Sequence, residues 1–179
     1  MNRFALPLAL FALLVVVLAI SIRHSPDKGI IASPLIGRQA PGFALPSLTD
    51  AQHVVSSQDL KGRWYILNVW GTWCYECRAE HSMLLEAGRA GLVPIIGLDW
   101  KDEDDHALEW LAQLGNPYQA VAVDHDGRTA VNWGVYGAPE TFLVNAQGIV
   151  VYKLVGPLTR EAWAAEFLTR LPHPASSGS

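Results

Sequence analysis

Cys74 and Cys77 are the only two cysteines of the chain, and Tyr75 and Glu76 separate them. They follow the apolar run Trp64 to Trp70 through Gly71, Thr72 and Trp73. Two thiols at this spacing, where a strand gives way to a helix, form a redox couple. The first lies at a helix N-terminus, where free amide N–H groups and the helix dipole favour the thiolate. The second lies within one turn, so it can attack a mixed disulfide formed by the first and release the partner. Cys74 is therefore read as the exposed nucleophile and Cys77 as the buried resolving thiol. Two cysteines are too few for a disulfide scaffold, so the pair calls for a chemical explanation. The charge of Glu76 opposes the dipole and disfavours a thiolate at Cys74, which makes the couple more reducing. Glu76 reads equally as a solvated acid in the first helical turn.

The elements that must position this pair alternate between strand and helix. Phe43 to Leu48 and His53 to Ser56 form a candidate hairpin, and Ser57 to Lys61 a short turn or helix. Trp64 to Trp70 and Val93 to Asp99 are continuous apolar runs that read as buried strands. Cys77 to Ala90 reads as a helix ended by Gly91, and Asp102 to Leu114 as a helix with acids in its first turn and Gly115 beyond its end. Ala120 to Val123 is a short strand. Thr141 to Val144 and Ile149 to Val155 flank the turn Asn145 to Gly148. Thr159 to Leu171 is a closing helix, with Glu161 and Arg170 suitably placed for its dipole. The pattern predicts an α/β fold, a mixed sheet flanked by helices with an N-terminal hairpin extension.

Four regions follow: an N-terminal membrane anchor over 1–24, a linker over 25–40, one domain over 41–171 and a disordered tail over 172–179. Phe4 to Ile22 is almost wholly apolar and uncharged; as a helix it spans ~28 Å, close to the hydrocarbon thickness of a bilayer. A cleaved signal peptide, with Ala19-Ile20-Ser21 as an imperfect small-residue site, is the competing reading. Arg3 precedes the span, whereas Arg23, His24 and Lys28 follow it, so a bare charge count would keep the C-terminus in the cytoplasm. Ser25 to Pro41 is punctuated by Pro26, Gly29, Pro34, Gly37 and Pro41, as a spacer would be. The chain has 179 residues, 50% of them hydrophobic, and a formal net charge of −4 at pH 7. That balance gives no reason to expect nucleic-acid binding.

Trp73-Cys74-x-x-Cys77 at a strand-to-helix junction, with Gly137-Ala138-Pro139-Glu140-Thr141 just before a later strand, resembles the thioredoxin fold. Gly71-Thr72-Trp73-Cys74, Cys77-Arg78-Ala79-Glu80-His81, Leu114-Gly115-Asn116-Pro117-Tyr118 and Gly134-Val135-Tyr136-Gly137-Ala138-Pro139-Glu140-Thr141-Phe142 narrow the likeness. From about Pro41 to Leu171 the chain is similar to the thiol:disulfide interchange proteins of cytochrome c maturation (the CcmG/DsbE type). The resemblance implies a thioredoxin-like fold, and a cis-proline at Pro139 whose preceding backbone pairs with a substrate chain. It implies a bacterial inner-membrane protein, single-pass, with its catalytic domain in the periplasm. The implied activity is reduction of the disulfide of apocytochrome c, or of its mixed disulfide with a maturation partner. A membrane electron donor of the DsbD or CcdA type would keep the protein reduced, and no cofactor is implied. Arg78 follows Cys77, so the chain is not itself a haem acceptor of the Cys-x-x-Cys-His kind.

The same resemblance assigns substrate contact to Trp73, Tyr75, Glu76, Ala138 and Pro139. Glu80 and Glu140 match acidic positions, and either could accept the proton of Cys77. Each reads also as an ordinary acid, on a helix surface or at a strand edge. Asn68 stands where thioredoxin carries a buried aspartate, and an amide cannot act as a base. Trp70, Trp73, Trp100 and Tyr136 could line an apolar recognition surface, with Trp70 the best fitted of the four to the core. His81 reads as a helix-face histidine rather than a ligand. A general periplasmic disulfide reductase or isomerase is the alternative function. A copper chaperone is a further one, although such relatives lack the Trp-Cys pair. A peroxidase would need a Pro-x-x-x-Thr-x-x-Cys arrangement, which the chain lacks.

Overall fold

The computed structural model describes residues 5–23, 33–50 and 52–172. These fall in two units, residues 1–31 and residues 32–179. The first contains a 19-residue α-helix, α1 (Ala5–Arg23). Among the described residues no helix is long and apolar enough to cross a membrane. The tail over 172–179 lies outside the described residues except for Pro172.

The second unit is built on β3 (Tyr65–Trp70), whose six residues are all buried. An uninterrupted apolar strand needs cover on both faces, and β3 lies at the centre of a five-stranded sheet. The strand order is β5-β4-β3-β6-β7, with β4 (Ile95–Trp100), β5 (Ala120–Asp124), β6 (Glu140–Val144) and β7 (Val150–Val155). β3, β4 and β5 are parallel, whereas β6 and β7 run antiparallel to their neighbours. Ile66 and Trp70 face α2 (Tyr75–Ala90), α3 (Asp104–Leu114) and the closing helix, in one core cluster with Leu84, Ala107 and Phe167. Leu67 and Val69 face the other way, onto Phe43, Leu60 and Trp133.

Each sheet edge is covered in part, which shortens the exposed templates for strand addition. The hairpin β1 (Ala44–Pro46) and β2 (Val54–Ser56) is antiparallel as expected, and Leu48 N–H donates to the Val121 carbonyl of β5 at 3.0 Å. A 3₁₀ turn, Ser57–Leu60, follows it. The described part of the predicted linker, residues 33–40, bonds to the opposite edge. Gly37 N–H donates to Val150 O at 2.8 Å, and Val150 N–H returns a bond to Arg38 O at 3.0 Å.

Several boundaries differ from the sequence reading, those of α2 and α3 at the site among them, and one element was not anticipated. α2 starts at Tyr75, because Cys74 serves as its N-cap. α3 starts at Asp104 rather than Asp102, because the Asp102 carboxylate is engaged by Thr72 and by the Glu103 N–H. A short helix, α4 (Arg128–Asn132), was not anticipated. Buried Asp124 caps it by accepting from Thr129 and Ala130 N–H at 3.2 and 2.8 Å. It delivers Trp133 against Phe142, with ring centroids 5.0 Å apart. The closing helix is α5 (Arg160–Ala162), continued by a π-helical stretch over Trp163–Leu168.

Candidate active site

The site begins where β3 runs out. Cys74 N–H donates to Gly71 O at 3.1 Å, closing the turn between strand and helix. A Cβ on Gly71 would lie 2.5 Å from the Trp73 indole nitrogen, so any larger residue there would displace that ring. Cys74 and Cys77 form a disulfide, and the Cys74 sulfur accepts the Cys77 N–H at 3.1 Å. In the reduced protein the same N–H and the helix dipole act on a Cys74 thiolate. The loop after β4 grips this turn. Asp102 accepts from Thr72 N–H and from Thr72 Oγ1 (the latter at 2.8 Å), and the Trp73 indole donates to Trp100 O at 3.1 Å.

Exposure does not separate the two thiols as expected. Cys74 is 4% exposed and Cys77 3% exposed, both within the core cluster that Ala138 also packs against. Their difference is positional: Cys74 precedes the first helical residue, and Cys77 lies inside the first turn. The residues around them form an open rim, with Trp73 52%, Tyr75 82% and Tyr136 68% exposed. Glu76 is exposed as well. Trp70 is core and stacks on Tyr118 at 5.5 Å between centroids, and Trp100 is half-buried.

Glu80 is not a surface acid. It lies three residues after Cys77, on the same side of α2, and is buried. One carboxylate oxygen accepts from Asn68 Nδ2 at 2.8 Å and the other from Leu158 N–H at 2.7 Å. Burial pushes its pKa up to about 7, against the downward pull of those two bonds. A carboxyl poised there can take or give a proton near neutral pH. Asn68 cannot itself act as a base, as the sequence indicated, but it orients the acid. Its amide also donates to Thr141 Oγ1 at 3.0 Å, and its carbonyl accepts the Tyr118 hydroxyl at 2.8 Å. Sequence reasoning assigned Tyr118 and Thr141 no such role; the available signal was a lone polar residue, Asn68, in an apolar central strand.

Asp99 is a second buried acid that sequence reasoning passed over. It is paired in register with Trp70, and burial, then the charges of Asp102 and Asp104, push its pKa up to about 8. His81 is buried against α3, with Nε2 2.9 Å from Gly115 O and Nδ1 facing the Trp110 indole at 3.5 Å. Those partners suit a neutral imidazole, and burial lowers its pKa.

Glu140 differs from Glu80 in having a cation. Its carboxylate lies 2.7 Å from Lys153 Nζ, and its other oxygen accepts Tyr136 N–H at 3.2 Å. The Lys153 contact is a close ion pair rather than an aligned hydrogen bond. The Ala138–Pro139 peptide bond is cis. Pro139 immediately precedes β6, whose first residue Glu140 pairs with Val69 of β3, at the same end of the sheet as the disulfide. Pro139 O accepts Gly156 N–H at 2.9 Å, whereas among the described residues no hydrogen bond is found for Ala138.

A Cys-x-x-Cys disulfide couple at the start of the helix after the central strand, with a cis-proline turn at the same sheet end, defines a thioredoxin-like thiol:disulfide oxidoreductase. The profile of the AhpC/TSA family matches residues 36–153. The thiol:disulfide interchange protein DsbE of Allochromatium vinosum is 41% identical over 165 residues, covering 92% of this chain and 90% of that protein. The thiol:disulfide interchange protein CycY of Rhizobium leguminosarum is 44% identical over 132 residues, 74% of this chain and 66% of its own. A Chlorobium tepidum crystal structure assigned as DsbE superposes with a TM-score of 0.62 at 30% identity, over 72% of this chain and 91% of that one. The chain belongs to the DsbE thiol:disulfide interchange proteins, within the AhpC/TSA family.

Proposed function

We propose that this chain is a membrane-anchored periplasmic reductase that delivers two electrons to the disulfide of apocytochrome c, or to its mixed disulfide with a maturation partner. The observation that carries the reading is the backbone of Ala138 beside the redox couple, which takes no hydrogen bond among the described residues and so suits an extended substrate chain added as a strand. Trp73, Tyr75, Glu76 and Pro139 frame the same opening. The Cys74 thiolate attacks one substrate sulfur; the substrate S–S bond breaks and its other sulfur leaves as a thiolate. Cys77 then gives its proton to Glu80 and attacks the Cys74 sulfur. The Cys74–Cys77 bond forms, the mixed disulfide breaks, and the second substrate thiolate leaves and is protonated. The substrate gains two electrons, and a membrane donor of the DsbD or CcdA type restores the dithiol.

The test is covalent haem attachment. Removing the chain from its host should abolish c-type cytochromes, because an oxidised Cys-x-x-Cys-His site offers no thiols to haem. A small thiol reductant in the medium should restore them. Normal cytochrome levels without the protein would favour a general periplasmic reductase instead.

The anchor is read from the uncharged apolar run Phe4 to Ile22 of the sequence. We place the N-terminus in the cytoplasm and the catalytic domain in the periplasm, since long domains translocate largely regardless of flanking charge. A reporter that is active only in the periplasm should be active when fused after Ser179. A well-expressed but inactive fusion would reverse the topology.

A further inference from the structure

Lys153 lies on β7 opposite Phe142, and its side chain is only 5% exposed. A buried ammonium needs partners, and three of its four lie between Gly134 and Glu140. Nζ donates to Gly134 O at 2.9 Å and lies 2.7 Å from the Glu140 carboxylate. It stands 4.9 Å from the centre of the Tyr136 ring, and Phe142 supplies a second ring at 5.1 Å. Glu140 in turn accepts the Tyr136 N–H. One cation therefore joins the first and last residues of the segment that contains Ala138 and Pro139. The middle of that segment has little else to hold it: among the described residues Gly137 and Ala138 take no hydrogen bond.

We propose that Lys153 is a positioning residue for substrate recognition, whose ammonium ties Gly134 to Glu140 so that the free N–H and C=O of Ala138 stand ready for an incoming strand. The inference rests on the strand-pairing reading given above. It also explains the different surroundings of the two buried acids. Among the described residues no cation pairs with Glu80, whereas Glu140 is one half of an ion pair with Lys153.

The ion pair could instead serve only to neutralise two buried charges, and the experiment separates the two roles. Initial rates of the reduced full-length protein are measured with two substrates. One is a peptide carrying an oxidised Cys-x-x-Cys-His site; the other is a small aromatic disulfide, dithiobis(nitrobenzoate), which has no backbone to pair. Lys153→Met should raise KM for the peptide ~10-fold, as expected for two weakened backbone hydrogen bonds, while the rate with the small disulfide stays within about twofold. Lys153→Arg, which keeps a buried cation and its donors, should retain most of the peptide affinity. The double variant Glu140→Gln/Lys153→Met removes both charges and should regain thermal stability, yet keep the raised KM. Recovery of KM together with stability in the double variant would overturn the proposal, as would an unchanged KM in Lys153→Met or equal losses with both substrates. If Lys153→Met does not fold, the double variant carries the same comparison. If the parent protein shows no preference for the peptide, the strand-pairing reading itself falls, and this inference with it.

Discussion

Replacing Cys74 by serine should abolish mixed disulfides with substrate, whereas replacing Cys77 by serine should cause them to accumulate. Cys74 precedes the first residue of α2, where its sulfur already accepts a helix N–H, so its thiolate is the one that gains from the helix terminus. Cys77 lies one turn on and beside Glu80, which suits the second attack. Without that attack the covalent complex has no intramolecular route to resolution. The effect is all-or-none and is read on a non-reducing gel after thiol trapping in cells. Partners recovered with Cys77→Ser would also name donor and substrate. Equal trapping by both variants would contradict the order assigned to the thiols.

Glu80→Gln should slow disulfide exchange ~10²-fold above neutral pH, the loss expected of a positioned general base. The parent rate should rise as pH passes through about 7, where the Glu80 carboxyl ionises and can accept the Cys77 proton. Glutamine resembles the protonated acid in shape and cannot titrate, so the variant should lose that inflection. Glu140→Gln should leave it in place, because the Glu140 carboxylate is held by Lys153. An unchanged rate and profile in Glu80→Gln would return Glu80 to a purely structural role.

The same substitution has a signature in stability. The Glu80 pKa is pushed up to about 7 in the folded chain from the ordinary 4.5 of an unfolded one, so the native state binds the proton more tightly. Its contribution is fully present below about 4.5 and is lost as pH rises to about 7, a change of roughly 3 kcal/mol at most. Asp99, raised from 3.8 to about 8, adds a slope of the same sign. Urea midpoints at about pH 5 and pH 8 should therefore differ less for Glu80→Gln than for the parent, and the difference between the two proteins isolates Glu80.

The sequence by itself determined the redox chemistry and the frame around it. Cys74 and Cys77 are neighbours along the chain, and a strand ending at Trp70 followed by a helix is a local pattern, so periodicity and spacing suffice to read both. The hairpin, the turn at Asn145 to Gly148 and the alternation of strands and helices along the chain were legible for the same reason. The resemblance of Gly137 to Thr141 to thioredoxin-like proteins implied the cis bond at Pro139, which the structure contains. What tertiary structure decided is the environment of each acid. Glu80 takes its character from Asn68, twelve residues away, and from Leu158, seventy-eight residues away, while Asn68 is itself fixed by Tyr118 and Thr141 at separations of 50 and 73. Glu140 looks just as acidic in the sequence, yet β7 places Lys153 against it and makes it half of an ion pair. Cys74 was expected to be exposed and is covered. α4 was missed because a five-residue helix capped by Asp124 has too few turns to show a period. Local pattern reports which face of an element is apolar; whether a polar group on that face meets an amide, a cation or water is decided by segments that only the folded sheet brings together.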